Sequence, residues 1–249
     1  MKDKITPVDD KKISEESGAV PFYNDAVSAI DAGLRKYMLG VFSRMSVGLA
    51  LTAITAYIVS TSPSLMSGLY GSGLFWVILF APFAMVIYLS ARISSMSSQT
   101  AQRWFYAYSA VNGASLAPMF LVYSGTSIAL AFFSTSAMFL SMVIYGYSTD
   151  KDLTSVGSFC FMGLLGIIIA SLVNLFTKSS TASLVISLIG VVIFTGLTAW
   201  DSQVIKSYYF EGEEQESQDK KSILGALTLY LDFINLFLYI LRFVGAKRE

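Results

Sequence analysis

Histidine is absent from all 249 residues, and that one absence removes a large part of enzymology. No Ser/His/Asp triad, no Cys/His nucleophile pair, no HExxH zinc site and no imidazole switch can be built. Any response to pH near neutrality must come from carboxylates in unusual surroundings. Cysteine is almost as rare. Cys160 stands alone, which excludes an internal disulfide, and its setting in FCFMGLLGIIIA reads as a small buried hydrophobe rather than a reactive thiol. Charge is scarce too, at 14% of residues. Hydrocarbon fills the chain instead: 54% of residues are hydrophobic and mean hydropathy is +0.61, which leaves too little polar surface to cover a soluble domain. By composition this is a membrane protein.

The net charge of zero is less informative than where the charges lie. They crowd into the first 36 residues, the segment 206–222 and the last few positions. The polar arm over 1–36 holds Pro7, Gly18 and Pro21 and too few apolar residues to fold alone, so it is expected to be partly disordered. It opens with several acids, and the first apolar run begins only near Leu39, so it is not expected to act as a signal peptide. A short amphipathic stretch, Ala26–Tyr37, is expected along the membrane surface with Arg35 and Lys36 toward the headgroups.

Residues 37–249 form the membrane domain, with seven runs long enough to cross a hydrocarbon core of about 30 Å, which takes about 20 helical residues. They fall near 39–60, 74–94, 104–124, 126–147, 156–176, 182–205 and 223–244. The runs are uninterrupted, whereas barrel strands alternate and are about ten residues long, so the fold class is all-α: a polytopic seven-helix bundle. Only Ser124–Gly125 divides the third run from the fourth. Small residues such as Gly163, Gly166, Ser171, Gly190 and Gly196 let helix backbones approach closely. Lysine and arginine are biased to one side: Lys2, Lys4, Lys11, Lys12, Arg35, Lys36, Arg92, Arg103, Lys151, Lys206, Lys220 and Lys221 share the side of the N-terminus, which is expected to be cytoplasmic. Full spanning by the last run puts Arg242, Lys247 and Arg248 on the far side. A re-entrant last helix would return them.

Two carboxylates interrupt the apolar runs: Asp201 in GLTAWDSQVIKSYYF and Asp232 in LTLYLDFINLFLYIL. An ionisable group at membrane depth costs roughly 2.5 to 3.5 kcal/mol on insertion scales and normally marks a pathway, relay or counter-ion. Counting spans places the end of the second run, the end of the sixth and the start of the seventh on one face, so Arg92, Asp201 and Asp232 can meet in the adjoining half of the membrane. Such a carboxylate pair titrates as a unit and shares one proton over part of the pH range. Plainer readings stand beside this one. Arg92 and Arg44 can snorkel to headgroups, and Asp201 can be a solvated interfacial residue ahead of Ser202, Gln203 and Lys206. Asn112, Asn174 and Asn235 read as interhelical hydrogen-bonding residues. The acidic run EGEEQESQD at 211–219 reads as a solvated hairpin, without the ligand spacing of a calcium loop.

Three stretches carry a family resemblance: TGLTAWDSQVIK followed by LYLDFINLFLYILRF, YLSARISSMSSQTAQRWFYAYSAVNGASLAPMF, and GLRKYMLGVFSRMSVGLALTAITAY. They resemble the closing helices, the second and third helices, and the first helix of the Bax inhibitor-1 family, the transmembrane Bax inhibitor motif proteins. The similarity runs from about residue 33 and is most specific in LYLDFINLF, while the arm before it resembles bacterial members. The resemblance implies a bundle with the last helix at its centre and a pH-sensitive calcium leak. It also implies that Asp201 and Asp232 are the paired sensor, and that Arg92 latches Asp201 in the closed state, with Arg103 on the same side.

The function expected is therefore a cation leak, for calcium above all, gated by protonation of Asp201 and Asp232, whose two hard oxygen ligands would hold calcium only weakly and transiently. No enzyme and no cofactor are expected, with calcium entering only as transported ion. The partners implied are the lipid bilayer, calcium ions or protons and a membrane protein such as a protease, not nucleic acid. The expected location is a bacterial inner membrane. A regulatory protein acting on a protease or stress pathway is the alternative. An intramembrane aspartyl protease fits poorly, because Leu231 rather than glycine precedes Asp232 and no Pro-Ala-Leu run follows. A retinal protein lacks its Schiff-base lysine in the seventh run, and a secondary transporter would show inverted repeats and broken helices.

Overall fold

The computed structural model describes residues 20–246, with side chains described from Ala32 onward. Within those residues there are helices and no strands. The helices are α1 (Val20–Thr61), α2 (Pro63–Tyr70), α3 (Leu74–Arg92), α4 (Ser98–Leu116), α5 (Met119–Val122), α6 (Gly125–Ser148), α7 (Thr154–Thr177), α8 (Ser180–Ser207) and α9 (Gln215–Val244). Seven of them are long and six are also apolar enough to cross a membrane by composition. The seventh, α4, has 19 residues, about 28 Å of helix, but begins SQTAQR and carries too many polar side chains to pass the same measure. It can be polar because it is packed among α1, α3 and α9.

Serine sets several of the helix starts. Ser62, Ser97, Ser124 and Ser179 each accept a hydrogen bond from a backbone N–H three residues on, at the first turns of α2, α4, α6 and α8, which satisfies one of the four orphan donors that every helix start exposes. The turn between α7 and α8 is short because Lys178 adopts a left-handed conformation with φ 51° and its N–H bonds back to Asn174 O.

Several expected boundaries shift. The third span runs from Ser98 to Leu116 rather than 104–124, since Pro118 cannot continue a helix interior, and the remainder becomes the short α5. Ser124–Gly125 does mark the start of the fourth span. The first span is the latter part of one long helix, so the stretch Ala26–Tyr37 belongs to α1 without interruption rather than forming a separate surface helix. Of the polar arm expected over 1–36, residues 1–19 lie outside the described residues. The last span starts at Gln215, eight residues ahead of the expected 223, so half of the supposed acidic hairpin is helix.

The last helix is central. α9 packs on α1, α4, α6 and α8, and 56% of its most apolar window is buried, against 11% for the peripheral α3 and α7. Leu229, Tyr230 and Leu236 of α9 have no exposed surface. The outer faces carry large exposed apolar side chains such as Trp76, Phe133, Leu165 and Phe176, a lipid-facing belt. Helix contacts rely on small residues: a side chain at Gly146 of α6 would collide with the Ala199 backbone of α8, so only glycine permits that approach.

Alternation of the spans puts the start of α1, the α3–α4, α6–α7 and α8–α9 connections and the start of α9 at one end of the bundle. This end holds Arg92, Arg103, Lys151, Lys206, Lys220 and Lys221. The chain leaves α9 at the other end, where Ala246 N donates to Ser127 Oγ at 3.0 Å and Ser124 N donates to Ala246 O at 3.3 Å. The last helix therefore runs the full length of the bundle and does not turn back.

Candidate functional site

α8 and α9 are antiparallel neighbours joined by residues 208–214, whose bend uses Gly212 at φ 81°. Their register is set by Gly225 against Ile205 near the basic end and Gly190 against Tyr239 near the other. In that register Asp201 of α8 faces Asp232 of α9. Asp201 lies about 9 Å along the axis from the end of α8, within the half of the bundle nearer the basic end.

The two carboxyl groups are neighbours across the α8–α9 interface, close enough to interact. Ionised carboxylates only accept hydrogen bonds, so a hydrogen bond between the two would require a proton on one of them. Two full negative charges touching in a dry interior would repel strongly. The surroundings are asymmetric. Asp232 is 4% exposed and its Oδ2 has no hydrogen-bond partner, whereas Asp201 is only partly buried. Asp201 is thus the more accessible carboxyl of the two. What the arrangement can do chemically is hold or release that proton, and with it a charge, between two packed helices.

Arg92 is not part of this contact. It is exposed at the end of α3, and neither it nor Arg103 forms an ion pair among the described residues. Nor does Lys206, one turn beyond Asp201, reach the pair. Its Nζ donates to Tyr147 O at 2.9 Å and lies over the Tyr147 ring. The structure therefore brings two of the three sequence-predicted residues together and leaves the third apart.

The arginine that is built into the bundle is Arg44, which sequence reasoning placed as a snorkelling residue. Its guanidinium donates to Asp219 Oδ1 at 2.8 Å and to Ser222 Oγ at 2.9 Å. Asp219 belongs to the first two turns of α9, which extend past the end of α8 and turn the acidic run into fasteners. Glu216 accepts from Ser98 N and Ser98 Oγ, both at 2.6 Å, placing an anion at the N-terminus of α4 where the helix dipole favours it. In the hairpin itself Lys221 Nζ lies 2.7 Å from Glu213. Hydrogen bonds from Lys221 and Ser217 hold the Glu213 carboxyl below its ordinary range. Two signals in the sequence pointed this way: QESQDKKS is rich in helix formers, and Glu216 with Lys220 has the i,i+4 spacing of a helical ion pair.

Of the three asparagines, one bonds between helices. Asn112 Nδ2 of α4 donates to Tyr230 Oη of α9 at 2.8 Å, and Thr52 Oγ1 of α1 lies 2.6 Å from the same hydroxyl. These three helices meet at a wholly buried tyrosine. Asn235 instead donates to Leu231 O in its own helix, and Asn174 serves the α7–α8 turn through Thr177 and Ser179 N. Cys160 is buried and packs against Gly196. Among the described residues no cluster of three or more acidic or cysteine side chains converges to hold a metal.

Comparison with known proteins extends this picture along most of the chain. The chain is 49% identical over 219 residues to an uncharacterised protein of Rickettsia prowazekii, covering 88% of this chain and 93% of that one. It is 43% identical over 231 residues to the inner membrane protein YbhL of Escherichia coli strain K12, covering 90% and 97%. An uncharacterised protein of Borreliella burgdorferi is 43% identical over 216 residues, covering 86% and 93%. The family model described as "Inhibitor of apoptosis-promoting Bax1" matches residues 34–249. A helical bundle with its last helix at the centre and this match from the middle of α1 to the last residue together make the chain a member of the Bax inhibitor-1 family.

Proposed function

We propose that this protein is a leak pathway for cations, calcium among them, across a bacterial inner membrane, and that the number of protons on Asp201 and Asp232 sets whether it conducts. The observation that carries this reading is the direct approach of two carboxyl groups from consecutive helices inside the bundle. Removing the shared proton leaves two like charges in contact. At an effective dielectric of about 20 and a separation of about 4 Å their repulsion is about 4 kcal/mol. That is close to the roughly 5.5 kcal/mol that turns a 1:99 population into 99:1. The pair can thus shift the packing of α8 on α9 by an amount that matters. Two carboxylates are too few for a tight calcium site, which suits an ion that must leave as readily as it arrives.

Arg92 enters the proposal as a latch in a second state. The end of α3 already lies beside the first turns of α9, since Lys220 Nζ donates to Ser94 O at 3.4 Å, and in the second state a displacement of α3 toward α8 presents the cation to Asp201. The basic end of the bundle faces the cytoplasm in this reading, in keeping with the bias of lysine and arginine. The inner membrane is inferred from the name of the Escherichia coli relative.

The test is calcium flux from liposomes holding the purified protein, followed against pH. The parent should show a pH-dependent flux, and Asp232→Asn or Asp201→Asn should flatten the profile while each variant remains folded. An unaltered profile in both variants would remove the gating mechanism, and no flux from the parent at any pH would remove the leak itself.

A further inference from the structure

The central helix is not enclosed all round. α1 packs chiefly on α4 and α9, and α6 on α8 and α9, so a groove runs down the bundle wall between α1 and α6. It widens into two cavities of about 360 Å³ each. One is lined by Ala56, Phe120 and Ala129 toward the end where the chain leaves α9, and the other by Phe42, Met45 and Leu140 toward the basic end. Both include Leu49, Ala53, Phe132 and Phe233, so they are two parts of one groove, floored by α9. Each volume falls in the range of small-ligand sites.

The walls are almost wholly hydrocarbon, the exceptions being the hydroxyls of Ser46, Thr52 and Ser136. Thr52 Oγ1 is committed to Tyr230 and to Ser109 O, and Ser136 Oγ to Phe132 O. Water would find too few partners there to be held. The groove opens sideways at the depth of the spans, and its rim continues into the exposed Ile54, Leu130 and Phe133, which belong to the lipid-facing belt. Its length on α1, from Phe42 to Ala56, is about 21 Å, more than the roughly 15 Å that one leaflet contributes to the hydrocarbon core.

From this continuity, length and apolar lining we infer that the α1–α6 groove is a binding site for one alkyl chain of a bilayer phospholipid. Here lipid reaches the central helix. The occupant lies against Phe233, whose ring meets Phe132 and Phe139 edge-on and which directly follows Asp232. An alkyl chain here completes the packing of α9 between α1 and α6. The site needs no ion conduction and stands apart from the proposed leak.

The full-length protein, reconstituted in phosphatidylcholine vesicles doped with a phosphatidylcholine carrying a diazirine in one acyl chain, is illuminated, and adducts are mapped by mass spectrometry. Adducts are expected on α9 between Phe233 and Leu241, alongside those on the outer face of α7 at Leu165 and Phe176. Ala53→Trp with Ala129→Trp fills the groove and should lower the α9 adducts by about tenfold, as overpacking a site excludes its occupant, with the α7 adducts unchanged. Ala53→Leu, a milder filling, should give a partial loss with the fold intact. An α9 free of adducts in the parent while α7 is labelled, or α9 labelling indifferent to both fillings, would overturn the inference. So would crosslinking of α1 to α6 of a second copy across the groove.

Discussion

The ion pair between Arg44 and Asp219 offers a sharp quantitative test, because it joins α1 to the overhanging turns of α9 across 175 residues of chain. The perturbation is a double-mutant cycle of Arg44→Ala and Asp219→Ala. A Coulomb attraction at about 4 Å and an effective dielectric of about 20 reaches about 4 kcal/mol, an upper bound. The side chains keep 19% and 31% of their exposure, so water screens much of it, and fully exposed pairs couple by only about 0.2 to 1 kcal/mol. The N–O separation of 2.8 Å argues for more than that, since a hydrogen bond to a charged group nets about 1.5 to 3 kcal/mol. A coupling energy of about 1 to 2 kcal/mol is expected between these bounds. Unfolding in mixed micelles with increasing denaturing detergent measures it, and repeating the cycle at high salt should reduce it only in part, because buried portions of a pair are screened less. A coupling below about 0.3 kcal/mol, the level at which distant sites already add, would show that the charged contacts do not hold α9.

Other perturbations follow from the same geometry. Tyr230→Phe removes the hydroxyl that Asn112 and Thr52 share and should cost about 0.6 kcal/mol and at most about 1.7, the mean and maximum for hydrogen bonds between membrane helices, read in the same micelle assay. Gly146→Val forces a side chain into the Ala199 backbone and should destabilise by about 1 to 3 kcal/mol; a neutral result would mean that α6 and α8 are not in close contact. Glu216→Ala takes away the carboxylate that accepts from Ser98 at the start of α4 and should lower the melting temperature, with Glu216→Gln recovering part of the loss. Glu213 has a folded-state pKa depressed by Lys221 and Ser217. Its contribution to stability is therefore complete above the unfolded value and disappears as pH falls through the lower folded one. Melting temperatures of the parent and Glu213→Gln should differ at neutral pH and converge in that acidic window.

What could be read from the sequence was whatever depended on rarity. Asp201 and Asp232 stand out because apolar runs seldom hold an acid, and counting spans put them on one side of the membrane without any knowledge of packing. Their contact, however, depends on the register of α8 on α9, which rests on glycines whose neighbours are distant in the chain. The third span was misplaced because hydropathy reports what faces lipid, whereas α4 is sheltered by α1, α3 and α9 and can begin with SQTAQR. The start of α9 was misplaced for the opposite reason: charges in QESQDKK look solvated until their partners, Arg44 and Ser98, are known to arrive from other helices. Arg92 illustrates the limit of parity, which puts a residue on the correct side of the membrane and says nothing about whether its side chain turns inward.

The two ends of α9 are tied to different parts of the bundle. At one end Asp219 and Glu216 bind α1 and α4, and at the other Ala246 binds the first turn of α6. A rod pinned at both tips cannot easily slide or swing. Under the proposed gating, a rearrangement triggered at its midpoint is taken up by the helices around it, so that the staves move about a fixed axle.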